Sequence, residues 1–97
     1  MKLTLEAYLK NEAQTFKVGQ WIVQKRSNAS EYAVIIGELK NKGWSVISID
    51  DDRMKPAKKS TKYWDPAPTV ISEKDVPEKI KKKMFAELKK RGLTQVL

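Results

Sequence analysis

The residues able to do chemistry fall into two basic groups and one acidic run. From Lys79 to Arg91 the chain carries Lys79, Lys81, Lys82, Lys83, Lys89, Lys90 and Arg91 against the single acid Glu87. Arg53, Lys55, Lys58, Lys59 and Lys62 form a second group with no acid among them, followed directly by Tyr63 and Trp64. Side-chain cations at this density neutralise phosphates, and an aromatic ring beside them stacks on a base for about 1–3 kcal/mol. Either aromatic has a second use, as an anchor of its loop on the core, and in extended chain the two rings point opposite ways. Asp50-Asp51-Asp52 is the acidic run. Carboxylates suit Mg²⁺, but three consecutive acids on an extended backbone cannot all face one ion. The same run reads as a turn that ends a strand and offsets neighbouring lysines.

Composition removes much other chemistry. With no cysteine and no histidine, disulfides, thiolate sites and the usual zinc ligands are absent. So are Ser-His-Asp and Cys-His pairs and the commonest general base near neutral pH. No metal, cofactor or catalytic residue is expected. Glu38-Leu39-Lys40 and Glu73-Lys74 are similar to pieces of the E-x-K signature of metal-dependent nucleases, without a matching Pro-Asp upstream. A nuclease using Asp50, Asp52 and Glu38 therefore ranks last among the readings. The net charge of +8 points to an anionic partner. No secretory or membrane-spanning stretch is found, so a soluble cytoplasmic protein without a membrane partner is expected.

A helix over about 75–91 must carry the first basic group. Asp75 with Glu78 suits a capping box, Pro77 fits the first turn, and Gly92 can close the end. On a helical wheel Val76, Ile80, Met84, Phe85 and Leu88 share one side, and Lys79, Lys82, Lys83, Lys89 and Lys90 gather on the other. Lys81 and Arg91 fall in or beside the apolar arc and must reach outward. The second group sits on a long basic connection, residues 53–68.

The remaining elements supply a scaffold of one domain, residues 1–97. A short helix is expected over 3–14, with strands at Trp21–Lys25 and Trp44–Ile49 and a short one at 69–71. Trp21 and Trp44 read as core. Residues 29–42 are double-valued. Tyr32, Ile35, Ile36 and Leu39 have helical spacing, with Asn28 and Glu31 as a capping box. Val34-Ile35-Ile36 is β-branched and Gly37 interrupts the segment, which favours a strand.

Phe16-Lys17-Val18-Gly19-Gln20-Trp21-Ile22-Val23 resembles the opening of SH3-like small barrels, including the KOW-type modules of ribosomal and transcription proteins. The resemblance spans residues 16–71. It implies further strands at Val34–Leu39 and Trp44–Ile49, a turn at Asn41-Lys42-Gly43, and binding of nucleic acid or protein through loops that here include 53–64. The expected fold is α+β, a small, mainly antiparallel sheet or SH3-like barrel with a short N-terminal helix and a basic amphipathic C-terminal helix. The alternative is β-α-β with residues 29–42 helical. The expected function is non-enzymatic nucleic-acid binding of low sequence specificity. In it Lys79, Lys82, Lys83, Lys89 and Lys90 contact phosphates, Arg53, Lys55, Lys58, Lys59 and Lys62 close around the same backbone, and Tyr63 or Trp64 stacks. Docking on an acidic protein surface is the alternative. DNA or RNA, strandedness and oligomeric state stay open.

Overall fold

The double-valued segment is a strand, β2, covering Ser30–Glu38 in the computed structural model, which describes residues 16–39 and 43–96. The helical alternative for 29–42 is thereby overturned. Its apolar spacing arises because β2 is buried on both faces. Tyr32, Val34 and Ile36 pack into one core, and Ala33 and Ile35 into the other. A strand covered on both sides reads as an unbroken apolar run, which mimics a helical stripe. The helix expected over 3–14 and residues 41 and 42 of the expected turn lie outside the described residues.

Four strands join β2: β1 (Trp21–Lys25), β3 (Trp44–Asp50), β4 (Ala57–Ser60) and β5 (Thr69–Val70). All pairings are antiparallel, in the order β4-β3-β2-β1-β5. Ile35 faces Val46 while Gly37 faces Ser45, so Ile36 is an extra residue in a bulge. Such a bulge bends its strand and increases the local twist. Among the described residues β4 and β5 are edges that do not meet, so the sheet is open and no barrel closes. Residues 53–68 are also not one connection, since β4 interrupts them. Two lysines and no branched apolar residue make Ala57-Lys58-Lys59-Ser60 a poor strand by propensity, but lysines are usual on an exposed edge.

One face of the sheet carries the helix α1, Glu78–Lys90. Its Ile80, Met84 and Leu88 recur at i, i+4 and i+8, are buried, and meet Trp21, Val34, Ile47 and Ile49. Burying each such side chain is worth about 1.5–3 kcal/mol. The expected start was three residues early. Asp75 ends a 3-10 turn, Glu73–Asp75, and Val76 is extended at ψ 133° because it precedes Pro77. Pro77 becomes the N-cap position, its carbonyl accepting from the Ile80 and Lys81 amides, and the Asp75/Glu78 capping box does not form. The end is as expected. Gly92, at φ +71°, lets the Leu93 amide donate to Leu88 at 2.7 Å and its own amide to Lys89 at 3.1 Å, a Schellman closure.

The opposite face buries Phe16, Ile22, Ala33, Ile35 and Val46 under Trp44 and Trp64. Because β4 and β5 are opposite edges, residues 61–68 must cross the whole sheet, about 19 Å at the usual strand spacing. They do so over this second face as a strap. Trp64 is set into the core there, and the Gln24 side-chain amide donates to the Pro66 carbonyl at 2.8 Å. No helix among the described residues is long and apolar enough to cross a membrane.

Two glycines give a contrasting test of this packing. Gly19 has φ +91° and an added Cβ would lie 2.1 Å from the Val96 carbonyl oxygen, whereas a Cβ on Gly37 meets nothing within 4 Å. Gly19→Ala is expected to cost more than about 2 kcal/mol, lowering the thermal midpoint by roughly 8 °C or more. Gly37→Ala should stay within about 1 kcal/mol of the parent. Equal midpoints for the two variants would refute the close approach at Gly19.

Candidate nucleic-acid interface

The helix presents its cations as its packing dictates. With Ile80, Met84 and Leu88 inward, Lys79, Lys82, Lys83, Lys89 and Lys90 are all exposed. The two acids of α1 are occupied elsewhere. Glu78 pairs with Lys81 at 3.4 Å and Glu87 with Arg91 at 2.5 Å. Lys81 and Arg91 are the two cations expected beside the apolar arc, so both helix acids pair toward that edge, although Glu78 itself stays exposed at the margin of the lysine face. None of its five lysines has a carboxylate partner among the described residues. Lys79 to Lys90 spans about 16 Å along the helix axis. Phe85 lies at the margin, edge-on to Trp21 with ring centroids 6.2 Å apart, and is 41% exposed.

The second basic group does not assemble as expected. Lys58 is opposite Ile47 in register, on the helix side of the sheet, while Lys59 is opposite Val46, on the strap side. Lys59 is moreover paired, its Nζ lying 2.8 Å from Glu31 Oε2. Lys62 and Tyr63 ride on the strap, the ammonium 5.2 Å from the ring centroid and the ring 84% exposed. Trp64 is half-buried as the strap's anchor, leaving Tyr63 as the exposed aromatic. Arg53 and Lys55 are exposed in the β3–β4 turn. The helix lysines and the Lys62–Tyr63 pair thus lie on opposite sides of the sheet, and of the second group Lys58 shares the helix side.

The acidic run is a turn. Asp50 Oδ1 accepts from the Asp52 and Arg53 amides, and Asp51 Oδ1 from the Ser30 amide at 3.0 Å. Glu38 is not brought to it, because Glu31 is opposite Asp50 and Glu38 lies at the far end of β2, seven residues or about 23 Å away. Asp50, Asp52 and Glu38 therefore do not converge, and the described residues contain no cluster of three metal-ligating side chains.

A feature the sequence did not announce sits across the sheet from α1. Glu31, 2% exposed, accepts from Ser48 Oγ at 2.7 Å and Lys59 Nζ at 2.8 Å, and its other oxygen lies 3.4 Å from Arg26 Nη2. A carboxylate this deep is retained only when paired and hydrogen-bonded. Its partners are 5, 17 and 28 residues distant in sequence, so only strand register could reveal them. Beside it the tips of the β1–β2 and β3–β4 hairpins enclose an open cleft of about 400 Å³, lined by Arg26, Ser27, Asn28, Asp50, Arg53 and Lys59 among others.

Comparison of the chain with protein-family models, with curated proteins and with solved structures gives no match.

Asp50 gives a pH test of the turn. The Arg53 amide holds its carboxyl below the ordinary 3.8; burial opposes this, and the Asp52 amide and the nearby Arg26 and Arg53 charges add to it. The stabilisation is therefore fully present above the unfolded-state value and lost as pH falls through the lower folded-state value. Asp50→Asn should flatten the loss of stability below about pH 4 in denaturant titrations. An acid limb identical to the parent's would show that the turn does not depend on the ionised carboxylate.

Proposed function

We propose that the protein is a non-catalytic nucleic-acid-binding domain that works in the cytoplasm and docks through the outer face of α1, by charge and with little sequence selectivity. The observation that carries this reading is the unopposed row Lys79, Lys82, Lys83, Lys89 and Lys90, left free while both helix acids pair with Lys81 and Arg91. The acids at i,i+4 spacing to Lys82 and Lys83, Glu78 and Glu87, pair instead with Lys81 and Arg91, so the five lysines gain no ion-pair support. Its length of about 16 Å matches roughly five base-pair steps along a duplex axis. Contacts of this kind fix position and leave bases unread. The likeness to SH3-like modules enters only through the Val18–Trp21 lead-in and the meander from β1 to β4.

Phe85 favours a second reading. A half-exposed aromatic beside lysines suits an apolar and acidic protein surface as well as a phosphate backbone. A stoichiometric protein complex, with no nucleic-acid binding at low salt, would select it.

Anisotropy of labelled duplex and single-stranded DNA and RNA across a salt series tests the first reading. Five phosphate contacts predict a log–log slope near about −4.5 for duplex DNA and about −3.5 for single strands. Replacing Lys82 and Lys83 by Glu should weaken binding and shallow the slope by about 2. Affinity indifferent to salt, or unchanged in that variant, would overturn the assignment to α1.

A further inference from the structure

We propose that the cleft between the two hairpin tips binds a phosphomonoester dianion, held by Arg26, Arg53 and Lys59. The site does not depend on the helix reading, since it lies at the sheet end remote from Glu38 and its one lysine, Lys59, is on the face away from α1. Three observations converge on it. First, Glu31 is buried and grips Arg26 with one oxygen and Lys59 with the other, while those two side chains stay 45% and 43% exposed. The buried carboxylate thus fixes two cations at the cleft wall and leaves their remaining donors facing out. Second, the exposed Arg53 side chain, with no ion-pair partner among the described residues, lines the same cleft. Third, the Ser27, Asn28 and Ala29 amides of the facing turn donate to no described residue, and successive free amides in a turn suit an anion.

The acids nearby set the expected selectivity. Asp50 turns its carboxylate onto the Asp52 and Arg53 amides, which spread its charge into the backbone. Asp52 is exposed and opposes an anion. Arg26, Arg53 and Lys59 are balanced in charge by Glu31, Asp50 and Asp52, so selectivity rests on fixed donors, which suit a compact dianion that accepts several charge-assisted bonds at once. The volume of about 400 Å³ also admits a nucleoside beyond the phosphate. Such a dianion is presented by a free nucleotide or by a phosphorylated nucleic-acid end.

The test is a ¹H–¹⁵N titration at constant ionic strength with adenosine monophosphate, inorganic phosphate and adenosine. Saturable shifts at Ser27, Asn28, Ala29 and Arg53 are expected with the two phosphates and none with adenosine. Arg53→Met, which leaves the Glu31 network intact, should weaken binding about tenfold with the rest of the spectrum unchanged. Asp52→Asn should tighten it about two-fold or more. Glu31→Gln adds one positive charge overall, so tighter binding would deny Glu31 its positioning part, and weaker binding is expected. Lys82→Glu with Lys83→Glu should change nothing, which keeps this site separable from the helix. A 5′-phosphorylated oligonucleotide that outbinds its 5′-hydroxyl counterpart, with the difference lost in Arg53→Met, would identify a chain end as the source. No saturable shift, shifts with adenosine alone, or indifference to Arg53→Met would overturn the proposal.

Discussion

Burial of β2 on both faces is the constraint from which the rest of the structure follows. A sheet whose central strand is apolar on each side needs a cover on each face. The helix α1 provides one with Ile80, Met84 and Leu88. The strap of residues 61–68 contributes to the other, with Trp64 and Trp44 over Ile22, Ile35 and Val46. Losing either cover would expose β-branched surface on a sheet with open edges, where intermolecular pairing competes with folding.

The same division sorts the charges. Lysines of α1 face solvent on one side of the sheet because its apolar stripe is spent on Trp21, Val34, Ile47 and Ile49. On the other side the cations are organised around carboxylates, with Arg26 and Lys59 on Glu31 and Arg53 in the turn that Asp50 caps. The first surface is a row of independent point charges suited to a long polyanion. The second is a small cleft with fixed donors, suited to a single compact group. The cations thus divide between two surfaces of different chemistry, and the second draws Arg26 from outside the two basic groups of the sequence.

How much of this was legible depended on whether the signal was local. Trp21–Lys25 and Trp44–Asp50 announce themselves through β-branched and aromatic residues bounded by turns. Gly92 and its preceding lysines mark the helix end by a local rule. The helix start is obscured because Asp75 and Glu78 have capping-box spacing while Pro77 holds Val76 extended between them. The strand β4 was illegible, as Ala-Lys-Lys-Ser gains its place by pairing with β3 and not by propensity. For the binding surface, amphipathic periodicity placed the five helix lysines, but nothing local distinguishes Lys59 from Lys58. Only register shows that one reaches Glu31 while its neighbour takes the opposite face.

Mapping amide shifts on adding a short unphosphorylated oligonucleotide to the intact chain tests the central claim most directly. The account predicts perturbations concentrated at Lys79–Lys90, with Lys62, Tyr63 and the strap unaffected because they lie across the sheet. A map centred on Lys58–Trp64, or no response at low salt, would contradict it.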